Sequence, residues 1–207
     1  MFFFARATTE SDLIEAQRLR HLVFCEEKGW LPAESLEYQI ETDRFDKHSA
    51  HYLAYDAEGN PVGSARIIFH TDDVGLQVAD HAGPVRYDDF RDCAEISRMV
   101  ALSGHRQGSI LLGLIRMMYV DLLYEYDHLR YVYLVIAPKM YSALNRLGFN
   151  YEQIGEPEPW HGHKMVAARA SVAEMEACVR EVNPYFSRWL HERPEQMDSS
   201  ISMVSFA

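Results

Sequence analysis

Charged side chains that could do chemistry lie on two apolar segments and on the polar loop that precedes them. Arg66 lies inside one apolar segment, and Glu95 and Arg98 lie inside the second. Asp43 and Asp46 lie three residues apart in the loop. Because an ionised side chain buried alone costs several kcal/mol, the arginines are predicted to pair with these carboxylates. Such a network can also serve only to hold the loop on a sheet, and for Arg66 and Asp46 alone that structural role is the favoured interpretation.

The segment from Ala94 to Leu102 is predicted to be a central strand. Strand alternation puts Glu95 and Ser97 on one face and Arg98 on the other. A β-bulge between them would bring Glu95 and Arg98 onto the same face, and bulges are frequent beside active sites. A bulge also leaves backbone N–H groups unpaired, and such groups can polarise a carbonyl oxygen. A bulge here would therefore place a carboxylate, a guanidinium and carbonyl-polarising amides together.

Apolar spacing and turn residues predict the elements that position these side chains. Thr8 or Thr9 caps a helix that runs to about Lys28 and ends at Gly29. The elements predicted after this helix are strands at 50–55, 62–69 and 94–102, an apolar helix at 110–126, a strand at 131–137, a helix from 138 that Gly148 closes, strands at 149–154 and 165–170, and a helix at 172–182 that leads to a polar tail.

This order of elements predicts an α/β fold with a mixed central β-sheet flanked by helices. The first strands are predicted to be antiparallel, with a parallel step around the apolar helix. No repeat or low-complexity linker interrupts the chain, so residues 1–207 are predicted to form a single domain, with a tail that is flexible after about residue 192.

The composition argues against several classes of protein. A formal charge of −11 argues against nucleic acid or an anionic membrane as the main partner, because both attract basic surfaces. The longest apolar stretch is too short to span a bilayer, and the first residues do not resemble a signal peptide. Three cysteines without a CxxC pair fit a reducing compartment, so a cytoplasmic protein is expected. No metal is expected, because neither histidine pair, His48 with His51 or His161 with His163, has the companion ligands of a metal site.

Five pieces of the chain share their order and spacing with a known family. They are Arg20-His-Leu-Val-Phe24, Trp30, Glu41-Thr-Asp43-Arg-Phe-Asp46, Val62-Gly-Ser-Ala-Arg66 and Glu95-Ile-Ser-Arg98. Together they resemble the signature of the acyl-homoserine-lactone synthases, which belong to the acyltransferases of the GNAT (acetyltransferase) fold. The segments at 18–27 and 46–53 and the His161-Gly162 loop are more similar to the related long-chain N-acyl amino acid synthases. The resemblance covers about residues 15–165.

The resemblance implies a fatty acyl group on a phosphopantetheine thioester, usually carried by acyl carrier protein, and a small-molecule amine acceptor. The acyl group would pass directly to nitrogen, as in autoinducer synthesis for quorum sensing, with no tightly bound cofactor. Glu95 would accept the amine proton, through water, and the amides around Met99 and Val100 would stabilise the oxyanion. The acceptor would be an amino acid or S-adenosylmethionine. Trp30 favours the lactone branch, and the histidine segments favour the amino acid branch.

The resemblance also assigns roles to the remaining candidates. The catalytic set is Glu95, Arg98 and Arg66, and the acceptor-binding set is Arg20, Phe24, Trp30, Asp43, Asp46, Ser97, Met99 and Val100. For Arg20, Phe24 and Trp30, simple helix packing is an equally good interpretation.

Arg106 and Gly108 are the candidate donor-binding residues, in the turn before the apolar helix. This turn departs from the Gln/Arg-x-x-Gly-x-Gly/Ala pattern with which acetyl-CoA-dependent relatives hold pyrophosphate, which argues against a strictly CoA-shaped donor site. Tyr141 is a second-tier candidate for protonating the leaving thiol. Two alternatives stay open: an acetyl-CoA-dependent GNAT N-acetyltransferase and a non-catalytic lipid-binding module of the same fold.

Overall fold

A computed structural model describes residues 1–31, 39–80, 91–106, 108–160 and 162–192 of the protein. His161 and the predicted flexible tail after residue 192 lie outside the described residues. The chain clusters into two compact units. The first contains Met1–Phe69 and Ile96–Met118, and the second contains the described residues of His70–Glu95 and Tyr119–Ala207. A single domain therefore stays a prediction.

The first unit is built on strands whose order is β1-β2-β3-β4. Its elements are β1 (Phe3–Arg6), α1 (Glu10–His21), a π-helix (Leu22–Glu27), a 3₁₀ helix (Asp46–His48), β2 (Ser49–Tyr55), β3 (Pro61–Phe69), β4 (Cys93–Ala101) from Ile96 onward, a 3₁₀ helix (Ser103–His105) and the first part of α2 (Ser109–Tyr124). Strand β2 pairs antiparallel with β3, as predicted, and also with β1, which the sequence analysis does not predict. Helix α1 packs on β2 and β3, so the loop that follows α1 begins beside this sheet.

Helix α1 begins at the predicted cap and widens after its end. The Thr9 hydroxyl accepts from the Asp12 amide at 3.2 Å, and the Asp12 carboxylate accepts from the Thr9 amide at 2.9 Å, which completes a capping box. From Leu22 to Glu27 the chain is a π-helix, where the sequence predicts a continuous α-helix to Lys28. Val23, Phe24 and Cys25 are buried in this segment, whereas Leu22 is exposed. Gly29 ends the helical segment with a φ of +61°, as predicted.

The second unit is built around strand β8. Its elements are a 3₁₀ helix (Gln77–Asp80), the first three residues of β4, the end of α2, β5 (Tyr131–Ile136), α3 (Pro138–Arg146), β6 (Glu152–Gln153), β7 (Glu158–Trp160), β8 (His163–Ser171), α4 (Val172–Val182) and α5 (Pro184–His191). The strand order is β4-β5-β8-β6, and β7 also pairs with β8. Helices α3 and α4 pack on β8, which confirms the predicted α/β class. None of the described helices has the length and apolar character that a membrane span requires.

The sequence analysis does not predict β1 or α5. Helix α5 carries a recognisable signal, since the Asn183 side chain accepts from the Phe186 amide at 3.0 Å and caps it. Phe186, Trp189 and Leu190 are buried at helical spacing. An Asn-Pro start followed by this spacing is the pattern of a short amphipathic helix, and not of the predicted polar tail. Strand β1 has no comparable signal, because its residues show no alternation of apolar and polar side chains.

The predicted strand at 149–154 is shortened to Glu152–Gln153. The backbone of Tyr151 is occupied by two side chains of α3. Its N–H donates to the Asn145 side chain at 2.6 Å, and its carbonyl accepts from Asn145 and from the Tyr141 hydroxyl. A residue whose backbone groups are taken in this way cannot extend a strand ladder.

Gly63 of β3 is a position where any side chain would collide with its surroundings. A Cβ built there lies 2.5 Å from Ile110 Cγ2 and 3.1 Å from the Val100 carbonyl oxygen. We expect Gly63→Ala to lower the free energy of unfolding by about 1–3 kcal/mol, the usual range for overpacking. Urea unfolding measures this loss. Gly104→Ala is the matched control, because nothing lies within 4 Å of a Cβ there, and equal losses in both variants would contradict the prediction.

Candidate active site

Strand β4 departs from regular alternation at Arg98, whose φ of +52° is left-handed. The Leu102 amide donates to the Val62 carbonyl of β3, and the Arg66 side chain donates to the Ser97 hydroxyl. A left-handed residue inside a strand interrupts the regular pleat in the way a β-bulge does, so the backbone of Arg98 supports the predicted bulge.

Arg66 of β3 is fully buried and uses its whole guanidinium group. Nη1 donates to Asp43 Oδ1 at 2.7 Å and to Asp46 Oδ1 at 2.6 Å, and Nη2 donates to Asp43 Oδ2 at 2.6 Å. Nε donates to the Ser97 hydroxyl at 2.9 Å. The predicted pairing of this strand arginine with the two loop carboxylates is confirmed.

Arg20 of α1 and Arg98 of β4 bind the same loop from two further elements. Arg20 donates to both carboxylate oxygens of Asp46, at 2.7 and 3.0 Å, and its Nε contacts the Glu41 carboxylate. Arg98 donates to Glu41 at 2.9 Å and to Asp43 at 3.1 Å. Ser97 and Arg98 thus reach one cluster although they are neighbours on a strand, because the left-handed residue turns the second side chain.

We call Arg20, Arg66, Arg98, Glu41, Asp43 and Asp46 the arginine–carboxylate network. It balances three positive charges against three negative ones, which makes its burial tolerable. Glu41 is the member that the sequence analysis does not include among the site residues, although it is 2% exposed and binds two arginines. A carboxylate two residues before Asp43, in a segment that carries the resemblance, is the signal that could have found it.

Two neighbours that the sequence analysis also omits support the network. The Gln17 side chain of α1 donates to Asp46 Oδ2 at 3.2 Å. His51 of β2 is buried and its Nε2 lies 3.0 Å from the Asp46 carbonyl oxygen. In the part of the chain that is described, no group of three His, Cys, Asp or Glu side chains could hold a metal ion.

The pKa values of Asp43 and Asp46 are both lowered. Burial alone would raise them, but hydrogen bonds and positive charges outweigh it, from Arg66 at Asp43 and from Arg20 and Arg66 at Asp46. A carboxyl whose pKa is lower in the folded state than in the unfolded state stabilises the fold above its ordinary pKa of about 4. This stabilisation is lost as pH falls from there toward the pKa of the folded state.

We therefore expect the free energy of unfolding to fall steeply below about pH 4, and urea unfolding at a series of pH values measures the slope. The variant Asp46→Asn cannot titrate at this position, so its stability should be lower near neutral pH and should depend less on pH in the acid range. If the free energy of unfolding falls with pH as steeply in Asp46→Asn as in the wild type, the loss of stability in acid does not come from Asp46.

Phe24 and Trp30 lie next to the network. Their rings stack with centroids 5.7 Å apart, and the Arg98 guanidinium lies 5.6 Å from the Phe24 ring centroid. Phe24 is also part of an apolar cluster with residues of α1, β2 and β4, and Trp30 packs on that cluster. Both residues therefore take part in packing, and their acceptor-binding role stays a prediction.

Glu95 belongs to the second unit and lies in the first three residues of β4. It is 1% exposed, and its Oε2 accepts from the Val78 amide at 2.7 Å. This bond fixes one carboxylate oxygen on the 3₁₀ helix Gln77–Asp80. Asp80, at the end of that helix, lines a cavity of about 110 Å³ together with Trp160 and residues of β5 and β8. Glu95 is thus buried away from bulk solvent, with one carboxylate oxygen bound by a backbone amide.

The backbone positions proposed as oxyanion donors follow the bulge residue in β4. Val100 is buried in the apolar cluster that contains Phe24, and Met99 is half-buried. Their role stays a prediction, and both residues directly follow the left-handed residue Arg98.

The donor-side candidates have structural partners. Arg106 Nε donates to the Ala101 carbonyl at 3.0 Å, and its guanidinium pairs with Glu27. Gly108 has a φ of +90°, and its carbonyl accepts from Leu112 in the first turn of α2. The Tyr141 hydroxyl donates to the Tyr151 carbonyl at 3.1 Å. These contacts position the three residues, and their predicted roles toward the donor stay predictions.

Comparison with protein families matches the acetyltransferase (GNAT) domain over residues 19–116. Comparison with curated proteins finds no match. Among solved structures, the CoA-dependent acyl-homoserine lactone synthase BjaI, with SAM and isopentyl-CoA, gives a TM-score of 0.72 at 19% identity and covers 90% of each chain. The AHL synthase LasI gives a TM-score of 0.64 at 22% sequence identity, and the match covers 83% of this chain and 89% of the LasI chain. FeeM, an N-acyl amino acid synthase from uncultured soil microbes, gives a TM-score of 0.66 at 17% sequence identity, and the match covers 88% of this chain and 98% of the FeeM chain.

These comparisons confirm the fold that the residue pattern predicts and the resemblance that it carries. The chain has the GNAT fold, and its structural neighbours include acyl-homoserine-lactone synthases and an N-acyl amino acid synthase.

Proposed function

We propose that the protein is an N-acyltransferase that moves a fatty acyl group from a phosphopantetheine thioester to the amine of an amino acid or of a homoserine-lactone precursor. The buried arginine–carboxylate network carries the proposal. All six of its members come from the segments by which the sequence resembles the acyl-homoserine-lactone synthases, and Arg98 comes from the segment that also contains Glu95. The likeness in fold to LasI, BjaI and FeeM supports the same reading.

The proposed reaction is direct aminolysis. The nitrogen lone pair of the acceptor attacks the thioester carbonyl carbon, a C–N bond forms, and the carbonyl electrons move to oxygen. Glu95 accepts the amine proton through a water molecule, and the amides of Met99 and Val100 stabilise the oxyanion. Collapse of this intermediate breaks the C–S bond and releases the thiol, with Tyr141 as the candidate proton donor to sulfur. The products are an amide and a free thiol.

The network is proposed to hold the acceptor side of the site. Arg66 and Arg98 fix the loop that carries Asp43 and Asp46, and Phe24 and Trp30 form the aromatic edge next to Arg98. Positioning of two reactants contributes a large part of the rate in aminolysis, because it replaces an encounter between two molecules by a step within one complex.

The donor is proposed to be acyl carrier protein, with CoA as the alternative, because both present the same acyl-phosphopantetheine arm. Arg106 and Gly108, in the turn before α2, are the proposed donor-binding residues. BjaI is described as CoA-dependent, and SAM is bound in its structure, so both a CoA donor and S-adenosylmethionine as acceptor belong in the test.

The test combines purified protein with acyl carrier protein or CoA loaded with acyl chains of different length. Each donor is offered S-adenosylmethionine or one of the twenty amino acids, and the products are weighed by mass spectrometry while free thiol is titrated. An N-acyl product that appears with stoichiometric thiol supports the proposal and identifies both substrates. Absence of an amide with every pair contradicts it.

Two other outcomes point to other functions. Transfer from acetyl-CoA without any response to long-chain donors indicates a conventional N-acetyltransferase. Tight binding of acyl donors without an amide product indicates a lipid-binding module of the same fold.

A further inference from the structure

Ser64 of β3 is a buried hydroxyl whose oxygen has no hydrogen-bond partner among the residues that the structure describes. Its side chain is 0% exposed. Buried polar groups in folded proteins are nearly all satisfied, so an exception requires an explanation. A serine hydroxyl can donate one hydrogen bond and accept two, and a bound polar molecule would satisfy it.

The neighbours of Ser64 place this hydroxyl on the sheet face of the network. Ser64 and Arg66 are two residues apart on β3, so their side chains share a face. The antiparallel partner of Ser64 on β2 is Leu53, and residues directly opposite each other also share a face. Leu53 packs in the apolar cluster that contains Phe24 and Val100. Ser64 therefore lies on the face where the network and the Phe24 cluster adjoin.

Ser64 is also close along β3 to Arg66, which donates to Ser97 of β4, the neighbour of the left-handed residue Arg98. A buried hydroxyl that has no partner among the described residues, on the face that carries Arg66 and its two carboxylates, is a feature of a binding site more than of a packed core.

We propose that Ser64 is an acceptor-binding residue, whose hydroxyl donates a hydrogen bond to the α-carboxylate of the bound amine. This inference rests on the proposed function and adds a residue and a recognised group to it. Both acceptor classes, amino acids and S-adenosylmethionine, carry a carboxylate next to the reacting amine. Because the network has no net charge, it does not by itself attract this carboxylate, and an additional neutral donor on the same face supplies recognition.

Trp30 and Leu31 are only partly buried, and both pack against the apolar cluster that contains Leu53, the β2 partner of Ser64. The proposal places the ligand's route to this hydroxyl past these two residues. A displacement of these two residues would open that cluster without disturbing the buried ion pairs. The bound carboxylate would then satisfy the serine hydroxyl, which has no partner among the described residues.

The test is Ser64→Ala in the full-length protein, assayed with the donor and acceptor that the wild type uses. Removal of an unsatisfied hydroxyl should leave the melting temperature unchanged or raise it, while KM for the acceptor rises about tenfold and kcat and KM for the donor stay near wild type. The increase in melting temperature caused by S-adenosylmethionine or the preferred amino acid should shrink in parallel. Ser49→Ala is the control, because the Ser49 hydroxyl has a partner, the Phe45 carbonyl at 2.7 Å, and its loss should lower the melting temperature.

The outcomes separate this inference from the proposed function. A wild type that acylates an acceptor, with Ser64→Ala showing unchanged KM and ligand-induced stabilisation, contradicts only the role of Ser64. A lower melting temperature with unchanged KM shows a structural role and also contradicts it. A wild type that acylates no acceptor and is stabilised by none contradicts the proposed function and the inference together.

Discussion

Glu95→Gln is expected to lower the turnover of acyl transfer by about 10²–10⁴-fold, the usual contribution of a positioned general base. Glutamine has the volume of glutamate and keeps a carbonyl oxygen that can accept from the Val78 amide, as Glu95 Oε2 does at 2.7 Å. It cannot accept a proton from the amine. The effect should therefore fall on kcat, with small changes in the KM of donor and acceptor.

The measurement is the initial rate of amide formation, together with circular dichroism and the melting temperature of the same sample. Glu152→Gln is the matched control, since Glu152 is an exposed β6 carboxylate that pairs with Arg169, and it should keep wild-type activity. A folded Glu95→Gln protein that retains more than about a tenth of the wild-type turnover would remove Glu95 from the role of base. A large drop in melting temperature would instead show that the carboxylate stabilises the fold. The variant Glu95→Asp would then decide between a catalytic and a structural role. A pH profile of its turnover that differs from the wild-type profile would indicate the catalytic role.

The sequence contained enough to predict part of the network, because a charge that is buried without a partner is costly in any fold. An arginine between apolar residues of a strand, such as Arg66, needs an anionic partner, and the polar loop that precedes the strand offers Asp43 and Asp46. Both pair with it. The same reasoning did not find Glu41, although one of its two partners, Arg98, is also a strand arginine, because Asp43 and Asp46 were taken as the partners of both strand arginines.

Features that depend on contacts distant in sequence could not be predicted in the same way. The left-handed backbone lies at Arg98, and a local pattern suggests a bulge without fixing its residue. The loss of the predicted strand at Tyr151 follows from side chains of α3 that take its backbone groups. The capping box at Thr9, by contrast, is local, and it was predicted correctly.

Arg66→Leu is expected to lower the free energy of unfolding by about 3–5 kcal/mol, the range for removal of one partner from a buried ion pair. Arg66 is 0% exposed and donates to Asp43, Asp46 and Ser97. Leucine fills part of the volume but leaves the network with three carboxylates and two arginines. The uncompensated negative charge stays buried, since Asp46 is 6% exposed. Urea unfolding near neutral pH measures the loss.

Arg106→Leu is the matched control for this loss. Arg106 also pairs with a carboxylate, Glu27, but its side chain is 36% exposed, so the change should be at most about 1 kcal/mol.

The double variant Asp43→Asn with Arg66→Leu removes one charge of each sign and restores neutrality. We expect it to be less destabilised than the sum of the two single variants, because the unpaired carboxylate that dominates the Arg66→Leu penalty is gone. Strict additivity, or equal losses for Arg66→Leu and Arg106→Leu, would mean that the buried network is held by packing and not by its charge balance.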